Sequence, residues 1–276
     1  MSGSRIKTMV IAALVVINVL FLTFIVIDTV ADARSSRQAI ENACSVLRIN
    51  GIEVDPDTVK SSGALRTMRS ARDDEAEAVI ARAFLGLANM TEQGVICLYE
   101  NAERGMAKFS SGGEFEVLLH EGAVKYTGGT LRTVNRLLRS MQLKTKDPIV
   151  TGAPGSETVT VVSTYKGSSI FNCVIEFVFS GENLESAKGR YVTGVEEAEE
   201  GVVISTPGAA LLGFLAAVRR EEAACTRIIS AEAGYQYTVT GSFGDGLIAP
   251  AWLITADSGL YIIDDATGEI REFRDR

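Results

Sequence analysis

Residues 9–27 read MVIAALVVINVLFLTFIVI, a run without a single charged side chain. A helix rises ~1.5 Å per residue, so the run covers ~28 Å and nearly matches a bilayer core of roughly 30 Å. The apolar core of a secretory signal is shorter, roughly 7–15 residues, and the run therefore reads as an uncleaved transmembrane anchor. The triplet Ala31-Asp32-Ala33 resembles a cleavage site and keeps a removed signal as the alternative. Arg5 and Lys7 precede the run, while Asp28, Asp32, Arg34 and Arg37 follow it. The short basic tail favours a cytoplasmic N-terminus with the bulk of the chain outside.

One residue in the run is out of keeping with it. Asn18 carries an amide that lipid cannot satisfy, and its helix face includes Leu14, Val15, Phe21, Leu22 and Ile25. Either Asn18 bonds its own helix backbone and is tolerated, or this face meets a partner's span, where polar side chains in membranes tend to point.

All 35 acidic residues and all but two of the 27 basic ones lie beyond the run, so the remainder carries a net charge of −10. That acidity disfavours nucleic acid and anionic headgroups as partners. At 46% hydrophobic residues the chain can bury a real core. Cys44, Cys97, Cys173 and Cys225 are widely scattered with no CxxC, which reads as free buried thiols in preference to a metal or redox motif.

Periodicity supplies the elements. SRQAIENACSVLRING places Ile40, Ala43, Cys44 and Leu47 on one helix face and ends on Gly51. DDEAEAVIARAFLG is a second helix whose Asp73, Asp74 and Glu75 match the positive end of its dipole. GVICLYE, GMAKFS and EFEVLLH alternate as strands. TLRTVNRLLRSMQL is amphipathic, and TKDPIVTGAPGSET reads as a turn-rich connection. ETVTVVSTY, IFNCVIEFVFS and a segment near Ala187–Val192 continue the strands. Thr206-Pro207 then caps another helix, followed by YQYTVTG, PAWLITA and GLYIIDD. Trp252, the one tryptophan, sits in an alternating strand and is expected to be buried against a helix.

Catalytic motifs are sparse. His120 is the one histidine, which rules out HExxH and any His-rich zinc site. There is no GxSxG elbow, and GAPGSET lacks the GK[ST] ending of a phosphate loop. Asp264, Asp265 and Glu269 do not have calcium-loop spacing. Neither catalysis nor a cofactor is expected.

The segment PAWLITADSGLYIIDDATGEI, residues 250–270, carries a resemblance through Pro250, Trp252, Ile254, Thr255, Gly259, Tyr261 and the turn Thr267-Gly268-Glu269. It resembles the closing strand pair of the YycH/YycI family of membrane-anchored regulators and, more loosely, PepSY-type modules. Asn50-Gly51-Ile52-Glu53-Val54 after the first helix, and Ile228-Ile229 with Gly234-Tyr235 after the last, extend the likeness. Length and a single span fit YycI-like chains better than the longer YycH. The resemblance implies a non-enzymatic regulator that binds a WalK-type two-component sensor kinase controlling cell-wall metabolism, with a YycH-like protein as co-regulator. The same strands leave a PepSY-like modulator of an envelope peptidase as the alternative, and an envelope hydrolase as a more distant one.

The expected fold is α+β: a single N-terminal transmembrane helix, then helices packed on antiparallel sheets, with helix-then-meander at least twice. The expected divisions are a cytoplasmic tail (1–8), the span (9–27), a first extracytoplasmic α+β unit (28–128) and a second one (129–276) holding the YycI-like strands.

Overall fold

A computed structural model describes residues 34–60, 62–198, 201–240, 245–265 and 267–273. The apolar run, with Asn18, Leu14, Val15, Phe21, Leu22 and Ile25, lies outside these residues. Among the described residues no helix is long and apolar enough to cross a membrane.

The described residues begin with helix α1 (34–49), then β1 (Glu53–Val54), β2 (Val59–Lys60) and β3 (Met68–Ser70). Helix α2 (Asp74–Leu85) leads into β4 (Asn89–Gln93), β5 (Ile96–Asn101), β6 (Gly105–Phe109) and β7 (Glu114–Leu119). Helix α3 (Thr130–Ser140) precedes β8 (Thr145–Ala153), β9 (Ser156–Tyr165), β10 (Ser168–Ser180), β11 (Asn183–Arg190) and β12 (Val195–Glu197). Helix α4 (Pro207–Arg219) is followed by β13 (Arg227–Val239), β14 (Gly246–Ala256), β15 (Gly259–Asp264) and β16 (Ile270–Glu272).

Local chemistry accounts for the helix ends. The Asp73 carboxylate accepts from the Ala76 N–H and caps α2, whose first turn holds Asp74, Glu75 and Glu77. Thr206 caps α4 in the same way, with Pro207 at the first helical position where a missing N–H costs nothing. Gly51, at φ 81°, takes the left-handed conformation that closes α1.

The expectation of helices packed on antiparallel meanders is corrected. Among the described residues strands dominate: sixteen of them join in one mixed sheet, beside four α-helices. Parallel pairs occur as well as antiparallel ones, since β1, β2 and β10 each run parallel to β13. These pairs join segments far apart in the chain, and no local period or turn announces them. The segment TKDPIVTGAPGSET is also not a connection. It forms β8 and the start of β9, paired from Thr145↔Ser163 to Ala153↔Ser156.

Strand β10 holds the sheet together. Its later residues pair antiparallel with β9 and β11, while Ile170 near its start pairs with Tyr235 of β13. Where the register shifts, the Asn172 side chain stands in for a peptide group: it donates to the Tyr237 carbonyl at 2.7 Å and accepts from the Tyr237 N–H at 2.9 Å. Two apolar clusters lie on either side of this stitch. One gathers α1, α4, β13, β14 and β15, with Leu47, Leu211, Phe214, Ile254 and Trp252 all at most 1% exposed. The other gathers α2 and α3 against β5, β6, β7, β9 and β10, through Ile80, Phe84, Val134, Phe109 and Phe177. A small third cluster, Phe171, Ala251 and Ile262, is joined by Leu253 and Phe273.

Candidate functional site

Alternation along β10 sorts its side chains. Cys173, Ile175 and Phe177 are buried, while Asn172, Val174, Glu176 and Val178 lie on the opposite face and stay partly exposed. Neighbouring strands continue that second face. Cross-strand register sets Lys108 beside Glu116, Glu116 beside Lys188, and Lys188 beside Glu176. One row of alternating sign thus crosses β6, β7, β11 and β10. The row one pleat away holds Met106, Leu118, Ser186 and Val178, and in it Met106 is 40% and Leu118 49% exposed.

This face forms a cleft of about 660 Å³. Its lining carries three bases, Lys108, Lys188 and Arg190, against three acids, Glu114, Glu116 and Glu176. Ser110 and Asn172 add neutral polar groups, and Phe273 closes one wall. Gly189 lets β11 approach β10 closely, for a Cβ there would sit 2.2 Å from the Val174 carbonyl oxygen. Within the cleft Lys188 pairs with Glu176 at 3.1 Å and Arg190 pairs with Glu114. The Arg190 guanidinium also lies 5.4 Å from the centroid of the Tyr237 ring, and its buried Nε has no hydrogen-bond partner among the described residues. Charges so balanced suit the recognition of a surface that also carries both signs.

The residues singled out in the sequence lie elsewhere. His120 is exposed just after β7. The Asp265 carboxylate accepts from the backbone N–H and hydroxyl of Ser205, tying the approach to α4 to the end of β15. GAPGSET is the end of β8, the Pro154-Gly155 turn and the start of β9. Among the described residues no group of three or more His, Cys, Asp or Glu side chains is placed to hold a metal. The four cysteines are free thiols; Cys44, Cys97 and Cys173 are buried and Cys225 is half-buried.

Cys225 has a distinctive setting. Burial, and next the Asp257 carboxylate, push its thiol up to about 11. Asp257 itself is held down to about 2, chiefly by the Thr226 hydroxyl, which donates to it. Because the thiolate is the reactive form, alkylation of Cys225 at pH 8 should run slower than that of a free cysteine and accelerate as the pH approaches 11. Asp257→Asn removes the second cause and should speed labelling, read site by site by mass spectrometry. The neutral thiol is favoured in the folded state, so its contribution to stability is complete below the ordinary value of 9.0 and is lost between there and about 11. A rate at pH 8 equal to that of a free thiol would contradict this setting.

No family model matches the chain, and no curated protein matches it. Among solved structures it is similar to an uncharacterized protein from Eubacterium rectale, with a TM-score of 0.52 and 10% identity over 82% of this chain and 90% of that one. At that identity the likeness concerns the fold alone. The C-terminal domain of YpeB from Bacillus megaterium aligns over 75% of this chain and 100% of its own at 12% identity, but its TM-score of 0.32 is too low to bear on fold or function.

Proposed function

We propose that this chain is a non-enzymatic regulatory protein, anchored in a membrane by its N-terminal apolar run and acting through protein contacts. The observation that carries the reading is the open face of the sheet. A row of mutually balanced charges beside exposed Met106 and Leu118 is chemistry for docking a surface. The sequence resemblance supports the same reading from another part of the chain, since residues 250–270 form the hairpin of β14 and β15 and lead into β16. The partner it implies is a WalK-type sensor kinase acting in cell-wall control, with a YycH-like co-regulator. The Asn18 face, with Leu14, Val15, Phe21, Leu22 and Ile25, is the proposed contact within the membrane.

The test is an association assay in membranes between the full chain and such a kinase. Wild type should associate. Asn18→Leu should weaken association, and so should the pair Asn18→Val/Val19→Asn, which moves the amide about 100° around the helix. Hydrogen bonds between spans contribute roughly 0.6–2 kcal/mol, so a loss of about 3- to 30-fold is expected. Absence of any association by wild type would overturn the regulatory reading; unchanged association in both variants would remove Asn18 from the contact.

A further inference from the structure

We propose that the open sheet face docks a second copy of this chain, the two copies related by a two-fold axis that runs along the strands midway between β7 and β11. The inference rests on the reading of this face as a binding surface and names its occupant. The row Lys108, Glu116, Lys188, Glu176 has four members of alternating charge. A row of even length turned end for end becomes its own complement. The stated axis therefore sets Lys108 opposite the partner's Glu176 and Glu116 opposite the partner's Lys188, and the same two pairs recur on the other side of the axis. All four bases and all four acids of the two rows are thereby matched.

Spacing selects the occupant. Strands lie ~4.8 Å apart, so the two rows keep step over their whole width. A helix laid across the strands would present its charges at a pitch of ~5.4 Å and drift out of step along the row. A ligand of a single sign gains little, because the charges lining the cleft sum to zero. The neighbouring row completes the contact: the axis sets Met106 over the partner's Val178, which covers apolar surface that one copy leaves 40% exposed at Met106. This is the arrangement of two facing sheets, with charged pairs fixing the register and apolar side chains excluding water.

The test uses the full chain in mild detergent and two charge-swapped variants. Glu116→Lys/Glu176→Lys makes the row wholly basic, and Lys108→Glu/Lys188→Glu makes it wholly acidic. Light scattering coupled to size exclusion should find wild type dimeric. Each variant alone should dissociate, its dimer weakened roughly tenfold or more by like-charge opposition, and an equimolar mixture should recover the dimer. Circular dichroism melts check that both variants fold. A monomeric wild type, variants that still dimerise alone (as association through the apolar run would give), or a mixture that stays monomeric would each overturn the inference. Kinase association measured on the same preparations separates the two readings. A monomeric wild type that captures the kinase overturns the dimer alone; a dimer that follows the charge swaps without capturing it overturns the regulatory role alone.

Discussion

Replacing Glu77 with Gln is expected to destabilise the fold by about 3 kcal/mol. The Glu77 side chain is 2% exposed, in the first turn of α2. Arg72, just ahead of the helix, grips it with both arms: Nε and Nη2 each donate to a carboxylate oxygen at 2.9 Å. The same guanidinium donates to the Val95 carbonyl at 2.8 Å and lies 3.0 Å from the Cys97 sulfur. The Glu77 hydrogen bond holds Arg72 above the ordinary arginine value. An amide keeps the shape of the carboxylate but leaves a half-buried cation unmatched. Asp74, 3.3 Å from Nε and 81% exposed, compensates only in part. Removing one member of a buried pair costs about 3–5 kcal/mol, and the 21% exposure of Arg72 puts this site at the lower end. The double change Arg72→Met/Glu77→Leu should regain most of the loss, because the desolvation cost of both charges disappears with them. Urea unfolding of the three variants measures the cycle. A single-variant cost under about 1 kcal/mol would mean the pair is solvated and of little weight.

Trp252→Ala should cost about as much or more, roughly 3–5 kcal/mol, by emptying the centre of the larger apolar cluster. Trp252 is 1% exposed, in the cluster that also holds Phe214 and Leu211 of α4. Its indole Nε1 is buried without a hydrogen-bond partner among the described residues. That gives the second half of the expectation. Trp252→Phe retains most of the ring volume and removes an unpaired donor, so it should cost clearly less than the alanine change. Native fluorescence offers an independent check, since Trp252 is the one tryptophan of the chain. Red-shifted emission, quenched readily by iodide, would place the ring at the surface and refute the packing.

Helices α2 and α4 were legible because each carries its own boundary chemistry. Asp73 with its following acids, and Thr206 with Pro207, mark starts that depend on nothing distant. The face of α1 was legible too: Ile40, Ala43, Cys44 and Leu47 are all buried at the expected spacing. Strand β10 shows its inner side by alternation from Asn172 to Phe179. Strand β8 hid for the opposite reason. Seven of its nine residues are exposed, so burial imposes no alternation on it, and Pro148 and Gly152 read as punctuation. Strands β1 and β2 have two residues each and exist only through their pairing with β13. The charge row was the least legible feature. Lys108, Glu116, Glu176 and Lys188 look like ordinary solvent-facing charges in four separate strands. They become a row because β11 pairs with β7 across an intervening helix and three strands.

Strand β10 also decides how a mechanical load would travel. Residues near its start belong to the part of the sheet packed under α1 and α4, and its later residues form the floor of the cleft. An extended backbone has almost no slack, at ~3.3 Å per residue, so it behaves as a tie rod and not as a spring. A pull entering through α1 reaches β13, crosses the Asn172 stitch and arrives at Glu176 with no flexible linker on the way to dissipate it. The two halves therefore move together or the stitch breaks.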